Sequence, residues 1–127
     1  MKINEIYLKI NLTNRNQGQG KHWYQTHKDR VAIEQYLQRH VKKPTAPYMQ
    51  QVAIHCVRLY GGRCRAWDSD SILRGNFKQI LDAMVSHGFF LDDRMKYIMQ
   101  CVGSQEKVHP SEAGVRIEIH DQPARFL

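Results

Sequence analysis

A chain of 127 residues is one ordinary domain, long enough to bury a core without disulfides or a structural metal. Apolar residues make up 42%, which excludes a disordered tail, and the longest apolar stretches fall far short of a membrane span. A formal charge of +7 suits polyanionic partners such as nucleic acid, although many proteins that bind no polyanion are equally basic.

The opening MKINEIYLKINL alternates polar and apolar residues and lacks the continuous apolar core of a secretory signal. A soluble, cytoplasmic protein is therefore expected. Within it, residues 5–12 put Ile6, Leu8, Ile10 and Leu12 on one side at period two, which predicts a strand with one buried face. Residues 13–22 are polar and glycine-bearing, hence a loop, and carry Arg15 and Lys21. From about Thr26, with Asp29 three positions on as in a capping box, the period changes. Val31, Ile33, Tyr36, Leu37 and Val41 recur at helical spacing, and Pro44 and Pro47 stop the helix. Lys28, Arg30, Arg39, Lys42 and Lys43 decorate it.

Residues 50–60 are β-branched and largely apolar, a central strand ended by Gly61 and Gly62. A second helix is expected over roughly 71–87, capped by Ser69 or Ser71. Its stripe is Ile72, Leu73, Phe77, Ile80, Leu81, Met84 and Val85, and Gly88 is suited to a left-handed helix end. Residues 95–102 read as a strand, 103–114 as a turn or loop, and 114–120 as a closing strand with Val115, Ile117 and Ile119 facing one way. The expected fold is α+β: a single domain over 1–127, in the order β-α-β-α-β-β, with a mixed sheet and two helices. The last two strands are expected to form an antiparallel pair.

Three cysteines, Cys56, Cys64 and Cys101, are widely spaced and include no C-x-x-C, so neither a disulfide framework nor a zinc knuckle is expected. The seven histidines show no ligand spacing, and no zinc role is expected of them either.

Carboxylates are different. Asp68, Asp70, Asp82, Asp92 and Asp93 bunch in the middle of a basic chain. Side chains at i and i+2 of extended backbone point the same way, so Asp68 and Asp70 repel unless a cation sits between them. Magnesium suits such a pair: it is hard, takes oxygen ligands and keeps waters that a phosphate can replace. A lone D-x-D is most often a cap or a solvated turn, and Asp92-Asp93 by itself would be an ordinary turn after FFL. An EF-hand loop starting at Asp68 fails, because Ile72, Leu73 and Gln79 stand where a ligand, glycine and glutamate are needed. A nucleotide-sugar transferase would need a larger nucleotide-binding domain, and no glycine fingerprint precedes the motif.

Taken together, DSDSILRGNFKQILDAMVSHGFFLDD resembles the signature of RusA-type Holliday-junction resolvases of bacteria and their phages. Asp68 and Asp70 match its D-x-D, Asp82-Ala83-Met84 its helix motif, and Gly88-Phe89-Phe90-Leu91-Asp92-Asp93 its end. Asn14, Arg15 and His22-Trp23 ahead of a basic helix, and the closing GVRIEIH, are also similar to the family. Two positions depart. Ser71 replaces the family's asparagine, and Arg74 stands where its lysine falls when counted from Asp70. Counted back from Gly88, the lysine is Lys78, and the interval from D-x-D is about one helical turn longer than the family's. Arg74 and Lys78 are expected on one helix face at i, i+4.

The resemblance implies a magnesium-dependent endodeoxyribonuclease of DNA recombination and repair. It would act as a homodimer that binds a four-way junction and nicks two strands. Its implied ligands for Mg2+ are Asp68, Asp70 and Asp93, with Asp92 supporting or sharing. Lys78 or Arg74 would stabilise charge in the transition state, with Lys78 favoured because the match around it runs gapless to Asp93. Asp82 would assist, or be a plain surface charge. Arg15, Lys21, Lys28, Arg30, Arg63 and Arg65 are the expected phosphate contacts. Trp23, Tyr24 and Trp67 have the chemistry to stack on bases, though burial in the core is the expected fate of Trp67. The alternatives are a non-catalytic DNA-binding phage protein of the same fold and another metal-dependent phosphotransfer enzyme.

Overall fold

The structure, a computed structural model, describes residues 1–12, 23–68 and 71–124. A four-stranded mixed sheet carries two helices on one face. The strands are β1 (Lys2–Leu8), β2 (Val52–Tyr60), β3 (Ile98–Lys107) and β4 (Gly114–His120), and the helices are α1 (Trp23–His40) and α2 (Phe77–His87). Their spatial order is β1-β4-β2-β3. β4 runs antiparallel to both β1 and β2, while β2 and β3 are parallel and joined through α2 as a β-α-β unit. Among the described residues no helix is long and apolar enough to cross a membrane.

Alternation explains the two sheet faces. Val52, Ile54 and Cys56 of β2 and Val115, Ile117 and Ile119 of β4 point toward the helices and are fully or nearly fully buried. They share one apolar cluster with Ile33 and Leu37 of α1 and Phe77, Ile80, Leu81 and Met84 of α2. The α2 residues recur at i, i+3, i+4 and i+7, the spacing of a single helix face. On the opposite face the same strands present His55 and Val57, and Arg116, Glu118 and His120. Gly88 ends α2 in the left-handed region (φ 97°), its N–H reaching the Met84 and Val85 carbonyls, as its position after His87 predicts.

Element order and class agree with the sequence reading; several boundaries and one pairing do not. β1 stops at Leu8 rather than 12, because its partner β4 begins at Gly114 and leaves no backbone to pair with beyond Leu8↔Val115. Leu12 is buried all the same. α1 begins at Trp23, so Thr26 lies inside the first turn instead of capping it. α2 begins at Phe77, not 71. Ile72 and Leu73 do not wind into a helix but press down on Gly103 of β3, and the buried Asn76 donates its side-chain amide to the Asn11 carbonyl (3.1 Å). Asn76, not Ser71, therefore stands at the helix start, Ser69 lies outside the described residues, and Arg74 does not share a helix face with Lys78.

β3 extends to Lys107 because the long β2 offers it a parallel partner as far as Tyr60↔Lys107. The last two strands are not an antiparallel pair. After β3 the Val108 N–H bonds the Tyr60 carbonyl (2.8 Å), and a 3-10 turn at Pro110–Glu112 carries the chain past the end of β2. β4 then inserts between β1 and β2, where it finds partners on both edges. A strand with Val115, Ile117 and Ile119 all buried gains more there than at a half-covered edge.

Candidate functional site

The β2–α2–β3 unit positions the acidic residues. Lys78 stands in the first turn of α2 and Asp82 one turn later, so their side chains meet at i, i+4 with Lys78 Nζ 3.1 Å from Asp82 Oδ1. The same ammonium donates to Asp93 Oδ2, from the segment that leads into β3. One cation thus bridges two carboxylates of the signature. The hydrogen bond to Asp93 raises the Lys78 pKa above the ordinary lysine value, opposed by partial burial and aided by Asp82, so the ammonium stays charged at neutral pH. Cys101 of β3 lies beside this group; burial pushes its thiol up, Asp93 adds to the effect and Lys78 opposes it.

Asp92 is engaged elsewhere. It accepts from the Arg94 backbone N–H and from Arg94 Nε, both at 2.8 Å, and these bonds hold its carboxyl below the usual range. Asp68 is exposed and marks the other end of the constellation. The backbone just before it is pinned by Gln105 of β3. Trp67 N–H donates to Gln105 Oε1 (2.8 Å), and Gln105 Nε2 donates back to the Trp67 carbonyl (2.6 Å). Beneath this clamp the buried Arg58 places its guanidinium 3.8 Å from the centroid of the Trp67 ring and donates to the Arg65 carbonyl (2.8 Å). Trp67 is half-buried and packs against the apolar core, as expected. Gln105 and Cys101 are four residues apart on β3, about 13 Å at roughly 3.3 Å per residue. The Asp68 end and the Lys78–Asp93 end therefore lie along one edge strand. Asp70 falls outside the described residues.

The carboxylates are of the donor type a hard cation takes, but Asp68 stands at the Gln105 end of β3 and the others at the Cys101 end, so they are not gathered into one set. Asp68, Asp82, Asp92 and Asp93 offer only carboxylate oxygens, and a cationic ammonium already stands between two of them. Among the described residues, however, the group whose ligand atoms all lie within 4.8 Å of one another is a different one, His55, Glu118 and His120 on the far face of the sheet.

No family model matches the chain, and no curated protein matches it.

The expected DNA contacts divide by position. Arg63 and Arg65 are exposed on the loop between β2 and Asp68, and Arg65 lines a cavity of about 530 Å3 together with Asn11, Arg58, Trp67 and Gly114. Lys28 is exposed on α1. Arg30 is half-buried and turned along its own helix, with Nε 3.5 Å from Glu34 and Nη2 3.4 Å from the His27 ring. Arg74 is exposed in the turns before α2. Arg15 and Lys21 lie outside the described residues. Sequence reasoning missed Gln105, thirty-eight residues from Trp67, and Arg58, which β2–β3 pairing sets opposite Gln105. It also missed the histidine group, although Glu118 and His120 do alternate with Ile117 and Ile119.

Proposed function

We propose that the chain is a magnesium-dependent, structure-selective endodeoxyribonuclease that resolves four-way DNA junctions by paired phosphodiester hydrolysis, acting as a homodimer. The observation that carries this reading is the contact between Lys78 and Asp93. They are fifteen residues apart, and both belong to the signature that resembles RusA-type resolvases. Asp68, Asp70 and Asp93 are the residues that would hold magnesium, with Asp92 at hand once Arg94 releases it. When bound, the ion would supply an activated water and charge neutralisation at the phosphate. Lys78 holds an ammonium beside the metal-binding carboxylates, where it would counter negative charge developing on the phosphoryl oxygens. Arg63 and Arg65, on the loop that leads to Asp68, would seat the DNA backbone without reading its sequence. Two symmetric nicks need two active sites, hence the dimer.

A second reading, a non-catalytic DNA-binding module of the same fold, is favoured by one feature. Lys78 and Arg94 already set two positive charges against the three of Asp82, Asp93 and Asp92, so the acidic group is largely offset without a metal.

The deciding experiment is cleavage of a labelled four-way junction beside matched linear duplex, with magnesium or EDTA, for the wild type, Asp70→Asn and Asp93→Asn. Paired nicks in the junction alone, dependent on magnesium and lost in both variants, are expected. Tight junction binding with no cleavage, strengthened by Asp93→Asn, would replace the resolvase with the binding module.

A further inference from the structure

The face of the sheet away from the helices carries a group that the proposed nuclease chemistry does not use. His55 on β2 and Glu118 on β4 are direct cross-strand partners, and His120 is two residues beyond Glu118 on the same face. The two imidazole rings stack with centroids 4.0 Å apart, and His120 Nε2 is 3.0 Å from Glu118 Oε1. One ligand atom from each of the three residues lies within 4.8 Å of the other two.

From this geometry we propose that His55, Glu118 and His120 form a binding site for a divalent transition-metal ion of the zinc type, distinct from the carboxylate group over β3. Two imidazoles and one carboxylate are a three-ligand set that zinc takes, with water in the fourth place. Nitrogen donors select against magnesium, which prefers oxygen ligands throughout. Zinc–nitrogen bonds of about 2.0–2.1 Å require ligand atoms roughly 3.4 Å apart at tetrahedral angles. Glu118 and His120 are already near that separation, and small side-chain rotations bring in His55.

Two further observations point the same way. His55 Nε2 is enclosed by protein and has no hydrogen-bond partner, an unsatisfied polar atom on one of the three ligand residues. Glu118 is also braced from behind: Arg116 Nε donates to its Oε2 at 2.8 Å, which leaves Oε1 to His120. A charged partner fixing a ligating carboxylate is the usual outer support of a metal site. Because the ligands sit on two adjacent paired strands, their spacing is set by the sheet rather than by a loop.

The test uses the 127-residue chain stripped with EDTA and dialysed free of it, with no DNA and no cleavage readout, so it stands apart from the nuclease reading. Zinc binding is titrated calorimetrically, and cobalt(II) substitution is followed by its visible ligand-field bands. One zinc per chain and tetrahedral-type cobalt bands are expected. His55→Ala and His120→Ala should each weaken zinc by roughly 100-fold or more, exceeding the 10–100-fold typical of losing an outer partner. His40→Ala, at an exposed histidine on α1, should leave binding unchanged. Far-UV circular dichroism checks folding, and should His120→Ala not fold, His120→Gln decides, because it keeps a polar group beside Glu118 but no imidazole. Absence of saturable zinc binding overturns the proposal. So does binding that survives in the His55→Ala/His120→Ala double variant, since it would belong to scattered surface histidines.

Discussion

Lys78 is the residue on which the carboxylate group turns, since its ammonium meets Asp82 and Asp93 together. If it also meets charge on a phosphate in flight, Lys78→Ala should lower the single-turnover rate of junction cleavage by about 10²–10³-fold, the range for losing one transition-state donor. Junction affinity, measured in EDTA, should change far less. A lysine with only a structural role would produce the opposite split. Cysteine chemistry is a second residue-scale test. Cys56 is fully buried and burial pushes its thiol up to about 12, whereas Cys64 is exposed. The thiolate is the reactive form, so a raised pKa and lack of access act in the same direction. At pH 8 a disulfide reagent should modify Cys64 quickly and Cys56 only after denaturation, as peptide mapping of native and unfolded protein would read. The residue types in the acidic signature were legible in the sequence. The partner that holds Trp67 was not: Gln105 meets it across thirty-eight residues through the placement of β3, whereas Arg94 reaches Asp92 from two residues away, a local Asx-type turn.

At the scale of elements, the short run between Asp70 and α2 is where sequence and structure part. Ile72 and Leu73 fit a helical stripe, yet the chain uses them to cover β3. This works because position 103 is a glycine: a Cβ there would stand 2.7 Å from the Ile72 Cβ and 3.2 Å from Leu73 Cγ. Gly103→Ala should therefore destabilise the fold by about 1–3 kcal/mol, as overpacking does, measured by urea denaturation. It should also slow cleavage, because the displaced turn follows directly on Asp70. Periodicity correctly places α2's apolar face and its glycine stop, since both depend on residues within one or two turns. Its start is set by tertiary contacts, Asn76 to Asn11 and Ile72 to Gly103, that lie 65 and 31 residues away in sequence.

For the whole molecule the net charge of +7 becomes a statement about place. Arg63 and Arg65 stand exposed on the loop that leads to Asp68, while Arg30 is drawn onto its own helix. If both loop arginines contact phosphates, Arg63→Ala/Arg65→Ala should weaken junction binding and flatten the dependence of log K on log salt by about 1.8, at roughly 0.9 per contact. An unchanged slope would move the DNA to another surface. The two faces of the sheet also separate the two proposed chemistries: oxygen ligands for a hard ion on the helix side, imidazoles for a softer one opposite.

The sequence by itself determined the class, the order of elements, the buried alternation of β4 and the acidic signature, because each is written in residues close together along the chain. Only the tertiary structure decided that β4 enters between β1 and β2, that Lys78 reaches Asp93, and that His55 lies against Glu118 and His120. Strand order and register are choices among long-range pairings of similar local preference, settled by which arrangement buries both edges of an apolar strand. The histidine group follows from that choice alone, sixty-three residues of chain separating His55 from Glu118 and one sheet register bringing them together.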